Sequence, residues 1–180
     1  MPTKNQSLKE FVQKLEKFLA KNKKSQPSSG TLSSEFKLEY IGGGVSRRVF
    51  KHKKFPSVVF KLQSHGKKTC SPNYSEWRSY RKVLPHQKAV LAKPILISKN
   101  YRVLVMEEAK HMKVIFKEIR PFLKRARKVL PASLAWDFQS DYEPYNGINT
   151  ELVPHNVGVR EDGKYKIFDY ASSATTCGDW

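Results

Sequence analysis

The chain is poor in cysteine, in acidic residues and in long apolar runs, and each shortage excludes something. Its two cysteines, Cys70 and Cys177, lack the C-x-x-C spacing of a zinc site and are too few for a disulfide framework, so both read as reduced thiols. No stretch approaches the ~18 consecutive apolar residues of a membrane span. The first twenty residues alternate lysines with apolar side chains, unlike the uninterrupted apolar core of a signal peptide. The expectation is a protein that stays in the cytoplasm where it is made, the host cytoplasm if it is viral. Acidic residues number 16 against 34 lysines and arginines, a formal net charge of +18. Such a field attracts polyanions, whether nucleic acid, nucleotide phosphates or acidic protein surfaces, and fixes neither fold nor chemistry. Hydrophobic residues make up 39% of the 180, enough for the core of one domain or a small two-lobed one.

Ser7-x-x-Glu10 reads as a capping box, and Leu8, Phe11, Val12, Leu15, Phe18 and Leu19 follow at helical spacing, predicting an amphipathic helix over 8–21. Lys9, Lys14, Lys17 and Lys21 lie on its other face. Either the apolar stripe packs on the domain and the lysines are solvated, or the helix meets an anionic membrane surface. Residues 23–34, with Gln26-Pro27-Ser28-Ser29-Gly30, read as a polar linker too poor in apolar residues to fold. Phe36, Leu38 and Tyr40 alternate with charged residues and lead into Gly42-Gly43-Gly44, a hairpin turn or a turn that lays backbone N–H groups against phosphate.

Val58-Val59-Phe60-Lys61 is the next strand. A lysine embedded among apolar residues needs a partner, since an unpaired buried ammonium is costly. Glu76, in the helix-like run from Tyr74 to Val83, is the candidate. Pro94–Ile97 and Arg102–Glu108 then read as two strands about Ser98-Lys99-Asn100. From Lys110 to Lys128 eight lysines and arginines face one acid, Glu118, while apolar residues recur at helical intervals and Pro121 implies a kink or a break between two helices. This is either a solvated face or an electropositive stripe for a polyanion. Residues 136–147 are aromatic and acidic, Asp141 among them.

The most informative stretch runs from Glu151 to Ala171. Two short strand-like runs, Val157–Val159 and Tyr165–Phe168, flank a turn at Glu161-Asp162-Gly163, which places Asn156 just before the first strand and Asp169 just after the second. An Asn and an Asp at one end of a hairpin make a hard-oxygen site suited to Mg²⁺.

Taken in order, the glycine turn, strand lysine, helix glutamate, hinge-like strand, Glu151-x-x-x-x-Asn156 and Asp169 resemble the protein-kinase-like superfamily over residues 36–171. Segments such as I-F-D-Y are most similar to small atypical kinase-like proteins of bacteriophages and bacteria. The resemblance implies an α+β, two-lobed kinase-like fold with a truncated C-lobe and an added N-terminal helix. Its parts would be a helix and linker at 1–34, an N-lobe with a five-stranded sheet at 35–108, and a reduced C-lobe at 109–180. It implies ATP and Mg²⁺, with Gly42, Gly43, Gly44, Val49, Lys61, Met106 and Glu107 around the nucleotide. Asn156 and Asp169 would hold the metal, Glu76 would orient Lys61, and Glu151 would be the catalytic carboxylate. Four positions depart from the family pattern: Glu151 stands for an Asp, Arg47 for the third glycine, and Tyr170 and Ala171 make Asp-Tyr-Ala at 169–171 in place of Asp-Phe-Gly. Only Tyr170–Trp180 follows Asp169, so a protein-substrate platform is expected to be largely absent.

Three functions follow. The first is a minimal phosphotransferase moving the ATP γ-phosphate to a hydroxyl acceptor, a protein among the candidates. The second is a pseudokinase that docks an acidic protein or nucleic acid on the basic 110–128 region. A nucleic-acid binder without phosphate chemistry is the third, and it has no need of a metal corner.

Overall fold

A computed structural model describes residues 4–22, 27–43, 47–63, 71–111, 116–130 and 156–168. The architecture is α+β. Five strands, β1 (Leu38–Gly43), β2 (Arg47–His52), β3 (Val58–Gln63), β4 (Pro94–Ile97) and β5 (Val103–Glu107), form an antiparallel sheet in the order β1-β2-β3-β5-β4. Every residue of β3 is buried, as befits a central strand covered on both faces. Because side chains alternate along a strand, Val58, Phe60 and Leu62 turn to one core while Val59, Lys61 and Gln63 turn to the other. Val103 and Val105 of β5 join the first set, and Leu104 and Met106 join the second.

The first core is capped by helix α1 (Lys4–Lys21). Its Leu8, Val12, Leu15 and Leu19 are buried with Phe50, Phe60 and Leu62, and Phe11 meets the rings of Phe55 and Phe60. Two polar ties fix its seat: the Asn100 amide donates to Glu16 Oε1 at 2.7 Å, and the Arg102 guanidinium donates to the Leu19 carbonyl. The apolar stripe is thus occupied by the sheet, with Lys9, Lys14, Lys17 and Lys21 exposed.

The expected linker is corrected over its second half, because Ser29–Phe36 form a helix, α2. Ser28 caps it by accepting from the Thr31 amide at 3.0 Å, Leu32 is fully buried in the first core, and Lys37 closes it in a left-handed conformation, φ 54°. A cap at each end and one buried leucine suffice where composition indicated none.

The second core lies on the opposite face of the sheet. Helix α3 (Pro72–Lys82) begins at a Ser71 cap with proline in its first turn, and the short α4 (Pro85–Lys88) follows. Strands β6 (Lys110–His111), β7 (Val157–Val159) and β8 (Tyr165–Ile167) make a second sheet in that order. Helix α5 (Phe116–Val129) contains Pro121 within one continuous element, so of the two expected outcomes the break between two helices does not occur. Pro121 lies beyond the first turn and has no N–H to donate, so the helix forgoes one backbone bond there. Ile119, Phe122, Leu123 and Ala126 of α5 pack with Leu104 and Met106 of the first sheet and Val157 and Ile167 of the hairpin, joining both sheets through one core.

β6 lies so close on β7 that a Cβ on Gly158 would sit 2.7 Å from the Ala109 carbonyl oxygen, which makes glycine obligatory there. Gly44, Asp141, Glu151 and Asp169 lie outside the described residues. No helix among the described residues is long and apolar enough to cross a membrane.

Candidate functional site

The face of the first sheet that carries Arg47, Val49, Val59 and Lys61 turns toward α3 and the end of the β7–β8 hairpin. Lys61, 3% exposed, reaches Glu76, 0% exposed, with Nζ 2.9 Å from each carboxylate oxygen. Nζ also donates to the Phe168 carbonyl. Arg47 enters from β2, its Nη1 2.7 Å from Glu76 Oε2. One buried carboxylate therefore receives two cations.

Placement of Glu76 follows from the start of α3. Gln63, the last residue of β3, accepts at Oε1 from the Asn73 amide at 3.0 Å and from the Ser71 hydroxyl at 3.1 Å. Asn73 Nδ2 donates to the Lys61 carbonyl at 3.1 Å and the Tyr101 carbonyl at 3.0 Å. These bonds pin the first turn of α3 to the strand that bears Lys61. Glu76, three residues beyond Asn73, lies on the same helix face and so meets Lys61.

The hairpin brings its two ends together as its strand pairing requires. The Phe168 amide donates to the Asn156 carbonyl at 2.9 Å, so Asn156 and the residue preceding Asp169 are adjacent. Hydrogen bonds from the Ala92 amide to Ile167 (2.8 Å) and from the Ile167 amide to Val90 (2.9 Å) hold β8 against the main body. Lys61, Glu76, Arg47, Asn156 and Phe168 thus form one locus joining β2, β3, α3 and the hairpin. Among the described residues no group of three or more His, Cys, Asp or Glu is placed to hold a metal.

No family model matches the sequence, and no curated protein matches it. Among solved structures the chain is similar to choline kinase LicA from Streptococcus pneumoniae, at 12% identity and a TM-score of 0.45, covering 80% of this chain and 67% of that one. At that score the likeness says nothing of activity.

The other residues singled out in the sequence are placed as follows. Gly42 and Gly43 end β1, opposite Val49 and Arg48. Val49 is half-buried against the second core, and Met106 is fully buried in it. At Glu107 the amide donates to the Lys93 carbonyl at 2.8 Å, and the carboxylate accepts from the Lys93 amide at 2.8 Å and from Arg160 at 3.2 Å. Both groups of that residue are thus engaged within the protein. Lys166, on the hairpin, donates to the Ala89 carbonyl at 2.8 Å and lies 4.0 Å from Glu107. Burial lowers its pKa, opposed in part by Glu107.

The pairing of Lys61 with Glu76 is legible in the sequence, whereas Arg47 on the same carboxylate and the Gln63–Asn73 clamp are not. The Ser71-Pro72 start of α3 was a visible helix signal. The reach of Arg47 across to α3 has no signature in spacing.

Proposed function

We propose that the chain is a kinase-like phosphotransferase that binds Mg²⁺-ATP beside Lys61 and transfers the γ-phosphate to a hydroxyl acceptor. The observation that carries this reading is the buried Lys61 ammonium, held jointly by Glu76 and by the carbonyl of the residue preceding Asp169. A cation so placed, two strands from Gly42 and Gly43 at the end of β1, suits phosphate oxygens. The donor chemistry also fits Mg²⁺, because Asn156 brings a neutral oxygen and Asp169, next in sequence to Phe168, an anionic one. When bound, Mg²⁺-ATP supplies the electrophilic phosphorus. The chain's own residues position and neutralise: Lys61 on the phosphates, Glu76 orienting Lys61, Asn156 and Asp169 on the metal. Glu151 orients the acceptor hydroxyl and takes its proton.

Titration calorimetry and a single-turnover assay test the reading together. Mg²⁺-ATP should bind, and Lys61→Met should weaken it. Glu151→Gln should lower transfer by ~10²–10⁴-fold with affinity unchanged. Absence of binding by ATP, ADP and GTP at millimolar Mg²⁺ would sink the proposal.

A second reading, a pseudokinase that docks a polyanion, is favoured by one observation. Arg120, Lys124, Arg125 and Lys128 on α5 are all exposed, with no ion pair among the described residues. Nucleotide binding without transfer, in the wild type and in Glu151→Asp alike, would select it.

A further inference from the structure

Resting on the nucleotide reading, we infer that Arg47 is a positioning residue that lets Lys61 turn from Glu76 to a phosphate. An ammonium has three N–H donors. In Lys61 they meet Glu76 Oε1, Glu76 Oε2 and the Phe168 carbonyl. An anionic oxygen arriving at Nζ therefore has to displace one of them. Withdrawing a donor from a buried carboxylate oxygen is costly unless another donor stays in place.

Oε2 has that second donor. Arg47 Nη1 stands 2.7 Å from it, closer than Lys61 at 2.9 Å. The bond from Lys61 to Oε2 can therefore pass to a ligand while Arg47 keeps the oxygen satisfied. Electrostatics act in the same direction: two cations sharing one carboxylate repel each other, so Glu76 holds Lys61 less tightly than a lone partner would.

Position supports the assignment. Arg47 opens β2, four residues after the end of β1 at Gly43, pairs in register with Gln63, and is 7% exposed. It is thus tied to the same strand end that pins α3. Glycine there would leave Lys61 as the carboxylate's cation from this sheet.

The test is a double-mutant cycle read by Mg²⁺-ATP affinity in calorimetry, with urea unfolding of each variant alongside. Arg47→Met should weaken affinity about tenfold, and Arg47→Lys should recover part of the loss. In a Glu76→Gln background, where the shared charge is gone, Arg47→Met should add no further loss. If Glu76→Gln does not fold, Lys61→Met is the second background, because Arg47 still satisfies Glu76 there and the same absence of further loss is expected. If Arg47→Met does not fold, Arg47→Lys is carried through the same backgrounds.

Unchanged affinity in Arg47→Met, with only stability lowered, overturns the inference and leaves the nucleotide reading standing. The same fold-loss in every background also overturns it, making Arg47 a direct phosphate contact. A wild type with no nucleotide affinity overturns the nucleotide reading itself, and this inference with it.

Discussion

At Glu76 the energetics are those of a buried carboxylate with two cations, and the partners are not equivalent. Removing it by Glu76→Ala takes the shared carboxylate from Lys61 and Arg47 together, and breaking such a buried pair from one side costs about 3–5 kcal/mol. Lys61→Met leaves Glu76 with Arg47 at 2.7 Å and should cost distinctly less. Urea unfolding of the two variants ranks them, and equal losses would mean that Arg47 does not compensate. Lys166 gives a pH-dependent counterpart. Its pKa is lowered chiefly by burial, so between its folded value and the ordinary 10.5 the unfolded chain binds more protons than the folded one. Stability from this group therefore rises with pH through that window, and its burial is most costly at neutral pH and below. Lys166→Met should thus gain stability relative to wild type at pH 7 and lose that advantage as pH approaches 10.5, followed by thermal unfolding across pH. The Lys61–Glu76 pair was legible because a lysine in an apolar strand demands a counter-charge. Arg47 was not, since strand alternation gives its face but only the tertiary placement of α3 brings a carboxylate within its reach.

At the scale of elements, legibility tracked how much apolar periodicity a segment carries. The five strands of the first sheet and the β7–β8 hairpin alternate or cluster apolar residues between turn signals, and helix α1 repeats them at helical spacing from Leu8 to Leu19. Helix α2 has the composition of a linker, yet Leu32 is fully buried and Ser28 caps it. If those two residues account for its folding, Leu32→Ala should cost about 2–5 kcal/mol as a core truncation and Ser28→Ala about 1 kcal/mol as a lost cap. Near-zero values for both in chemical denaturation would mean that α2 contributes nothing to the fold. Pro121 left two outcomes open, a kinked helix or two helices, and one helix contains it, because Ile119 before the proline and Phe122, Leu123 and Ala126 after it are buried in one core.

For the molecule as a whole, the dominant quantity is the net charge of +18, and the question is whether it acts diffusely or through α5. The apolar face of that helix is buried with the hairpin, so its exposed residues cannot turn inward. Arg120, Lys124 and Lys128, each four apart, stand in one line along it. If this line binds nucleic acid, affinity for a short duplex should fall linearly in log–log form with salt, by about 0.9 of a unit per phosphate neutralised. Replacing Lys124 and Lys128 with glutamate should reduce that slope by about 2 units, because two phosphate contacts are lost. Replacing Lys9 and Lys17 on α1, exposed on the far side of the first core, supplies the control, since it removes the same charge from another place. Equal effects from both pairs would mean that the field acts diffusely and that α5 is a solvated face. A loss confined to the α5 pair would assign the surface there. Repeating the titration with saturating Mg²⁺-ATP then asks whether the two sites communicate through the core that joins α5, Met106 and Ile167, and an unchanged slope and affinity would show that they do not.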